Sequence, residues 1–483
     1  MVESTPRHRK VADVIGVLPA HLEAAVVAGE ANSEWCGVVS DSRKVEAGNL
    51  YCCIKGENFD GHQFASQAIE LGAVALLVER LLLDVPKDVA QIQVTSVRDA
   101  IGFIASDAYD NPSLDMVIIG VTGTNGKTST SHIIGGLLHG LGLNVAVYGT
   151  LTGERTTPEA VELQQQLAVA RDSGVSHVIM EVSSHALALG RVRGTHFRAA
   201  VFTNLGHDHL DFHKTQEDYF AAKASLFRSE YCESAIINRD DPRGLIILDT
   251  TDLAAISFGE SDVSNTIVTA KATKFQWNEV EICVPIGGAF TISNALAAVT
   301  VVKSLGYSPI QIVQACKNVM PVRGRFELVT GAQNFDVVVD YAHTPEGLEE
   351  VLKTARSLTR NSLTVVFGCG GDRDAAKRPA MGRVAANLAD TVIITSDNPR
   401  NEDPSVIIDA IGNGAVGSRG NVLKIQDRRE AIMHALQAAS TGDIVIIAGK
   451  GHETTQEIKG VRTPFNDVEV AREILKNLEG DRT

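Results

Sequence analysis

This sequence has few cysteines, only short apolar runs and no surplus of basic residues. Its seven cysteines are scattered, and the only close pair, Cys52 and Cys53, is vicinal, so neither a disulfide framework nor a CxxC metal site is indicated. The apolar stretches, such as residues 72–78, are far shorter than the roughly 18 residues that cross a bilayer, and the basic N-terminal residues precede no apolar core. We therefore expect a soluble, cytoplasmic protein with no membrane partner.

The charge balance limits the partners further. A formal net charge of −15 argues against a nucleic-acid partner, because binding to phosphate backbones needs a basic surface. An anionic substrate would have to be held by local cationic groups. An acidic surface is also ordinary for a soluble enzyme, so the charge excludes more than it proves.

The length and composition indicate several globular domains. The 483 residues are 44% hydrophobic and 21% charged, and at about 100 to 200 residues per domain they predict two to four domains. Asn111 and Pro112 mark one boundary, and the Pro/Gly/Arg segment 321–325 marks another. The predicted domains are 1–112, 113–322 and 323–483.

Strand and helix patterns give the fold class. The continuous apolar run 116–121 is typical of a strand buried on both faces, and strand and helix patterns alternate after it. We predict an α/β protein with a small α/β N-terminal domain, a central domain with a parallel sheet, and a C-terminal Rossmann-like domain. The predicted strands are 50–54, 73–78, 145–148, 177–182, 199–203, 337–339, 363–367, 392–395 and 444–448, with helices at 62–71 and 310–319.

Residues 120–129, GVTGTNGKTS, form the strongest motif, because they follow a predicted buried strand and precede an amphipathic helix. Glycines let backbone N–H groups approach phosphates, Lys127 can reach the outer phosphates, and the Thr128 hydroxyl can hold Mg²⁺. The segment departs from GxxxxGK[ST], since Val121 occupies the first glycine position. A Gly-rich turn without a ligand is the alternative. We predict an ATP site with Mg²⁺, which makes the central parallel-sheet domain a P-loop ATPase domain.

Acidic and histidine side chains follow the next strands. Glu181 ends a predicted buried strand, where a carboxylate needs a cation, and a Mg²⁺ held with Thr128 would supply it. A partly solvated acid is the alternative. The run from His207 to His213 could suggest zinc or a solvated loop, but it contains no cysteine, and a site beside phosphates usually prefers oxygen-rich Mg²⁺ coordination.

Lys223 is the most informative residue after the loop. On a predicted helix over residues 216–228 it shares a face with Tyr219, Leu226 and Phe227, so its stem faces the core. Its ammonium could still snorkel to solvent.

These motifs resemble the Mur ligase family. The motifs GCGGDRD, DNPR and GKGHE are similar in particular to those of the enzymes that add the third amino acid of the peptidoglycan stem. The resemblance covers nearly the whole chain, in family order, through GTNGKT at 123–128, EVSSHAL from 181, FTNL and DHLDFH within 202–213, AK at 222–223, DYAHTP from 340, FGCGGDRDAAKRP from 367, SDNPR from 396 and AGKGHE from 448.

The resemblance implies roles for individual residues. It implies that Lys127, Lys223 and His209 are catalytic, that Lys223 is carbamylated to N6-carboxylysine, and that Thr128, Glu181, His209 and the Lys223 carbamate bind Mg²⁺. A carbamate forms on a neutral amine, and burial lowers a lysine pKa. Thr291 stands where the family more often has Asn and receives no role. The implied ATP residues are Gly123, Thr124, Asn125, Gly126, Lys127, Thr128, Asn294, Arg325, Asp340 and His343; the implied UDP-substrate residues are Ser42, Thr156, Thr157, Ser184 and Arg191.

The amino acid is expected to be meso-diaminopimelate, with L-lysine as the alternative. Its extra carboxylate needs a fixed cation, and an arginine pairs with carboxylate in a bidentate way. Arg400 could instead pair with Glu402 or Asp403. By resemblance the pocket consists of Arg373, Asp397, Asn398, Pro399, Arg400, Gly449 and Glu453, with Glu453 receiving the distant ammonium.

The expected reaction is ATP-dependent amide formation in peptidoglycan precursor synthesis, and thus in cell shape and division. ATP would phosphorylate the D-glutamate carboxylate of UDP-N-acetylmuramoyl-L-alanyl-D-glutamate, and the amine would attack the acyl phosphate. The expected protein is a monomer. A folylpolyglutamate synthase, a P-loop kinase and an inert nucleotide-binding scaffold remain alternatives; DNPR and GCGGDRD argue against the first.

Overall fold

The computed structural model describes residues 4–56, 59–417 and 420–480. The chain divides into two compact units: Met1–Gly123, Gly142–Phe202 and His209–Ser257 form the first, and Thr124–Leu141, Thr203–Asp208 and Phe258–Thr483 form the second. All seven cysteines are free thiols, as predicted. Among the described residues, no helix is both long and apolar enough to cross a bilayer.

The N-terminal part of the first unit is a five-stranded sheet of order β2-β7-β6-β5-β4, in which β4 to β7 are parallel and β2 is antiparallel. The predicted helix over 62–71 begins instead as a 3-10 turn, Gly61–Phe64. The elements are β1 His8–Lys10, α1 Asp13–Val17, β2 Ala25–Ala28, β3 Glu34–Cys36, β4 Val38–Val39, β5 Leu50–Cys52, α2 Ala65–Glu70, β6 Ala75–Val78, β7 Ala90–Gln93 and α3 Val97–Ala108.

The middle of the chain contains a six-stranded sheet of order β13-β12-β11-β8-β10-β9, and β9 to β12 pair in parallel around the buried β8. The elements are β8 Val117–Thr122, α4 Lys127–Gly140, β9 Val145–Tyr148, α5 Ala160–Asp172, β10 His177–Glu181, α6 Ser184–Ala188, β11 Ala199–Phe202, α7 Leu210–His213, α8 Gln216–Ala224, β12 Ser234–Asn238, α9 Pro242–Thr250 and β13 Ala254–Phe258. The predicted strands agree to within one or two residues.

The helix that carries Lys223 is shorter than the predicted 216–228. It ends at Ala224, because the next amides bond three residues back, Leu226 N–H to Lys223 and Phe227 N–H to Ala224, which tightens the chain into a 3-10 turn. Leu226 and Phe227 are nevertheless buried, as expected.

The second unit contains a small antiparallel sheet and a six-stranded sheet of order β17-β18-β22-β19-β20-β21, parallel except for β17. The elements after β13 are β14 Ser264–Val268, β15 Thr273–Trp277, β16 Val280–Val284, α10 Phe290–Ser304, α11 Pro309–Ala315, β17 Glu327–Leu328, β18 Asp336–Asp340, α12 Pro345–Leu358, β19 Leu363–Phe367, α13 Lys377–Leu388, β20 Thr391–Ile394, α14 Pro404–Gly414, β21 Asn421–Lys424, α15 Arg428–Ala438, β22 Ile444–Ala448, β23 Thr455–Ile458, β24 Val461–Pro464 and α16 Asp467–Gly480.

Apolar residues cover both faces of this last sheet. Alternate residues of β19 point to opposite faces: Val365 packs with residues of α12, α13 and α14, whereas Val366 packs with residues of α15 and α16. The continuous apolar strands are therefore explained by helices on both sides, and the loops at the carboxyl ends of the strands are left to form a site.

Candidate active site

The phosphate loop connects β8 to α4, as predicted. Gly123 and Gly126 have φ of +149° and +85°, in the region that favours glycine, and α4 begins at Lys127. A Cβ at Gly126 would lie 2.4 Å from Asn294 Oδ1. The Lys127 Nζ donates to Thr124 O at 2.9 Å, so the lysine folds over its own loop.

A second loop, residues 203–206, fixes this phosphate loop. Asn125 N–H donates to Asn204 Oδ1 at 2.9 Å, and the Thr203 hydroxyl donates to Asn125 O at 2.6 Å. Gly206 N–H donates to Thr124 Oγ1 at 2.8 Å. The FTNL motif marks this segment in the sequence, but sequence reasoning gave it no role.

Asn294 and Arg325, predicted on the ATP side, both contact the phosphate-loop helix. Asn294 Oδ1 accepts from the Thr130 hydroxyl at 3.2 Å, and an Arg325 guanidinium N–H donates to Thr128 Oγ1 at 3.3 Å. The guanidinium also lies 4.6 Å from the ring centre of Tyr341, a residue to which the sequence analysis gave no role. Arg325 therefore places a cation beside the Thr128 hydroxyl, within the second unit.

Asp340 supports the segment that carries Arg325. Its carboxylate accepts from Phe326 N–H at 2.7 Å and from Ala342 N–H at 2.8 Å. Burial raises the pKa of Asp340, while Arg325 and these two N–H groups act in the opposite direction. His343 follows, with its Nδ1 2.9 Å from Tyr341 O and its carbonyl accepting from Lys377 Nζ at 2.8 Å. Their roles toward ATP stay predictions.

Glu181 is buried at the end of β10, which excludes the solvated-acid alternative. It accepts from the Thr150 N–H at 2.9 Å and from the Thr150 hydroxyl at 3.2 Å. A Cβ at Gly149 would lie 2.1 Å from Glu181 Oε1, so a glycine is needed for this approach. Thr150 was missed by sequence reasoning.

Lys223 is 1% exposed, and its Nζ donates to Gly123 O at 2.8 Å. The snorkelling alternative is therefore wrong, because the amine is held against the phosphate loop. Its Nζ also lies 4.6 Å from the centre of the Tyr219 ring.

His209 belongs to an aromatic cluster of the first unit, in which its ring centre lies 4.7 Å from that of His185 and 6.2 Å from that of Tyr219. The Tyr219 ring is thus near both His209 and Lys223. Within the part of the chain described, no three His, Cys, Asp or Glu side chains form a metal-holding group, which gives no support to zinc. Of the predicted donors, the buried Glu181 carboxylate and a lysine that becomes a carboxylate when carbamylated supply the oxygen ligands that Mg²⁺ prefers, whereas the His209 imidazole does not.

Two of the predicted UDP-substrate residues carry buried polar atoms with no partner among the described residues, Ser184 Oγ and Arg191 Nε. Arg191 otherwise pairs with Glu159 at 2.9 Å and donates to Thr157 O. Such buried atoms are costly unless a ligand or an ordered water binds them. Thr157 donates to Glu181 O, Thr156 contacts Thr150, and Ser42 donates to Gln67 in the N-terminal sheet region.

The predicted amino-acid residues meet at the carboxyl ends of β20 and β22. Asn398 Nδ2 donates to Glu453 Oε2 at 2.7 Å, and a Cβ at Gly449 would lie 2.7 Å from Asp397 Oδ2. Lys450, which the sequence did not single out, is fully buried beneath them.

Arg400 does not take the alternative pairing with Glu402 or Asp403. Glu402 accepts two hydrogen bonds from Arg378, at 2.8 and 2.9 Å, and Asp403 caps α14. Arg400 Nη1 donates to Gly371 O at 2.7 Å, which places it beside the loop of the exposed Arg373. A Cβ at Gly371 would lie 1.9 Å from Pro399 O, so the two loops pack closely.

Comparison with known proteins identifies the family. The Mur ligase family catalytic domain matches residues 36–109, the Mur ligase middle domain matches 121–302, and the Mur ligase glutamate ligase domain matches 324–451. The chain belongs to the Mur ligase family. The three-domain α/β fold is thereby confirmed, whereas the boundaries at 112/113 and 322/323 stay predictions.

Two curated relatives carry the name UDP-N-acetylmuramoyl-L-alanyl-D-glutamate--2,6-diaminopimelate ligase. The protein from Syntrophomonas wolfei subsp. wolfei is 43% identical over 93% of this chain and 96% of its own, and that from Bacillus licheniformis is 39% identical over 94% and 97%. A solved structure of the same name is 32% identical with a TM-score of 0.70, covering 98% of this chain and all of that one.

More distant structures share the fold alone. The MurF ligase of Thermotoga maritima, in complex with ADP, is 19% identical with a TM-score of 0.61 over 92% of this chain and 98% of that one. A folylpolyglutamate synthase of Mycobacterium tuberculosis, complexed with ADP and AMPPCP, is 17% identical with a TM-score of 0.59 over 77% and 93%.

Proposed function

We propose that this protein is the ATP-dependent ligase that joins meso-diaminopimelate to UDP-N-acetylmuramoyl-L-alanyl-D-glutamate. The observation that carries the proposal is the geometry of the loops after β20 and β22, where Asn398 binds Glu453 and Arg400 binds the loop of Arg373. The pocket thus presents both arginine and carboxylate, which matches an amino acid whose far end bears both charges. The names of the curated relatives support the same reaction.

The reaction must activate a carboxylate before an amine can attack it. An oxygen of the D-glutamate carboxylate attacks the γ-phosphorus of ATP, ADP leaves, and an acyl phosphate forms. The amine of diaminopimelate then attacks the acyl carbon, and phosphate leaves as the amide forms. The net change is ATP, carboxylate and amine to ADP, phosphate and amide.

The chain's contribution is positioning and charge compensation. Lys127 and the loop N–H groups would bind the outer phosphates, and Arg325, already within hydrogen-bond distance of Thr128, would compensate phosphate charge from the second unit. Mg²⁺ would reduce the repulsion between two anions, and Thr128, Glu181, His209 and carbamylated Lys223 would hold it. Ser184 and Arg191 would use their unpartnered atoms on the UDP-linked substrate.

The deciding experiment measures phosphate release with ATP, Mg²⁺ and UDP-N-acetylmuramoyl-L-alanyl-D-glutamate, with and without each candidate amino acid, and the mass of the product. We expect release that depends on diaminopimelate and a product heavier by one diaminopimelate residue. Stable phosphorylation without an amine would indicate a kinase instead. No release under any condition would indicate a nucleotide-binding scaffold. In a parallel reaction supplied with folate and glutamate, addition of glutamate to folate would indicate a folylpolyglutamate synthase.

We also propose that the enzyme acts as a cytoplasmic monomer, where ATP and UDP-linked precursors are present. Sedimentation at working concentration tests the oligomeric state, and cell fractionation tests the location. A stable dimer would contradict the first part and leave the ligase reaction untouched.

A further inference from the structure

Lys450 is a buried ammonium at the base of the proposed amino-acid pocket. It follows β22, and its side chain is 0% exposed. Its Nζ donates to three acceptors: Thr455 O at 2.8 Å, Glu453 Oε2 at 2.9 Å and Asn398 Oδ1 at 3.2 Å. A buried ammonium is costly unless such partners meet all its donors, and here they do.

These bonds fix the orientation of two pocket side chains. Asn398 Oδ1 also accepts from Glu457 N–H at 3.0 Å, so its amide nitrogen must point the other way, and it donates to Glu453 Oε2 at 2.7 Å. Glu453 Oε2 therefore receives two donors, Lys450 and Asn398. Among the described residues, no hydrogen bond is found to Glu453 Oε1, and the side chain is 32% exposed.

We propose that Lys450 is a positioning residue for amino-acid specificity, which holds Glu453 so that Oε1 faces the distal ammonium of the incoming diaminopimelate. This inference rests on the proposed function. Without Lys450 the Glu453 carboxylate would lose its charged partner, and only the Asn398 amide would still hold Oε2, so the rotamer of Glu453 would be less firmly fixed. Lys450 itself does not touch the substrate in this arrangement.

The buried pair of Arg428 and Asp467 is a separate support for the same loops. Arg428 donates to Ala448 O at 2.9 Å and to Ser396 O at 3.4 Å, while Asp467 neutralises it. Apart from the Asp467 carboxylate, Arg428 binds backbone carbonyls, and no described hydrogen bond joins it to Asn398 or Glu453. Lys450 is therefore the cation that acts on the side chains themselves.

The first test compares Lys450→Met with wild type on two amino acids: diaminopimelate and 2-aminopimelate, which keeps the distal carboxylate but lacks the distal amine. We expect KM for diaminopimelate to rise roughly 10- to 100-fold, the effect of one charge-assisted hydrogen bond. KM for 2-aminopimelate, ATP and the UDP-linked substrate should stay within about twofold. Lys476→Met, at an exposed lysine of α16, is the matched control.

A merely structural lysine would give another result. Equal increases in KM for both amino acids would overturn the inference, as would unchanged KM for both. If the wild-type enzyme itself fails to ligate diaminopimelate, the proposed function fails, and this outcome is separate from either result on the variant.

A second variant covers the case in which Lys450→Met does not fold. In Glu453→Gln, Lys450 must attract the amide oxygen, which turns the amide NH₂ toward the substrate. We expect KM for diaminopimelate to rise at least tenfold. The analogue 2-amino-6-hydroxypimelate, whose hydroxyl can accept a hydrogen bond from the amide NH₂, should become the better of the two substrates. If Lys450 did not fix the amide, the amide could flip and bind the distal ammonium through its oxygen. A KM for diaminopimelate that is unchanged in this variant would therefore overturn the role of Lys450.

Discussion

Two buried lysines, Lys223 and Lys450, differ in the acceptors that their ammonium groups meet. Lys450 binds the Glu453 carboxylate, whereas Lys223 donates to Gly123 O, a neutral carbonyl of the phosphate loop. Carbamylation of Lys223 stays a prediction that the family resemblance implies, whereas the bond from Lys450 to the Glu453 carboxylate assigns Lys450 a positioning role.

Lys127→Ala should lower phosphate release by about 10² to 10³-fold or more, because one preorganised donor to the transferred phosphate is lost. Lys127 is only half-buried and its Nζ bonds within its own loop, so the melting temperature should change little. Steady-state phosphate release and thermal unfolding measure the two quantities. Full ligase activity in a folded variant would remove the ATP-site assignment.

Lys223→Ala should be nearly inactive and partly rescued by added short carboxylates, which can occupy the position of the carbamate. Wild-type activity should also fall when CO₂ is removed and return with bicarbonate. Lys271→Ala, at an exposed loop position, is the control that should show neither effect. An active enzyme whose Lys223 is unmodified by mass would contradict the carbamate.

At the scale of elements, the parallel strands could be predicted because a short continuous apolar run bounded by turn residues is typical of a strand buried on both faces. Val145–Tyr148, Leu363–Phe367 and Ile444–Ala448 were predicted at these bounds. The hairpin of β23 and β24 was not, because its strands are short and largely exposed and lack the apolar alternation that signals a buried face. The backbone groups that the site uses from this hairpin, Thr455 O and Glu457 N–H, were accordingly missed.

The site could be predicted where one short motif contains both the backbone conformation and the functional side chains. It could not be predicted where a side chain depends on a hydrogen-bond partner that is distant in the sequence. The phosphate loop of 123–128 needs only its own glycines and lysine. Lys450 and Arg428 owe their roles to Asn398 and Asp467, which lie 52 and 39 residues away. No local pattern in the sequence distinguishes these two cations from solvated ones.

Arg428 and Asp467 begin α15 and α16, and both side chains are 0% exposed. Arg428→Met would leave the Asp467 carboxylate buried without a cation, and we expect a loss of about 3 to 5 kcal/mol in the free energy of unfolding. Arg429→Met, at the exposed pair with Glu473, should change it by less than about 1 kcal/mol. Urea unfolding of both variants measures the difference, and equal losses would show that burial is not the cause.

At the scale of the whole molecule, the candidate chemistry is spread along the chain in a fixed order. The phosphate loop lies at 123–128, the metal-side residues between Glu181 and Lys223, and the amino-acid pocket between Arg373 and Glu453. We therefore expect a substitution in the last segment to change the choice of amino acid and to leave the phosphate loop intact. This separation makes a competition experiment informative about specificity alone.

With equal diaminopimelate and L-lysine, wild type should add diaminopimelate almost exclusively, because lysine would leave the arginines of the pocket without a carboxylate, and such a mismatch can reject a substrate by roughly 10⁴-fold. Arg400→Met should reduce this preference mainly by raising KM for diaminopimelate. Arg400 has φ of +52°, and methionine meets the same backbone cost, so the change isolates the guanidinium. The mass of the UDP-tripeptide reports which amino acid was added. Predominant lysine addition by wild type would refute the specificity while leaving the ATP-dependent ligase reaction in place, because no residue of the phosphate loop distinguishes the two amino acids.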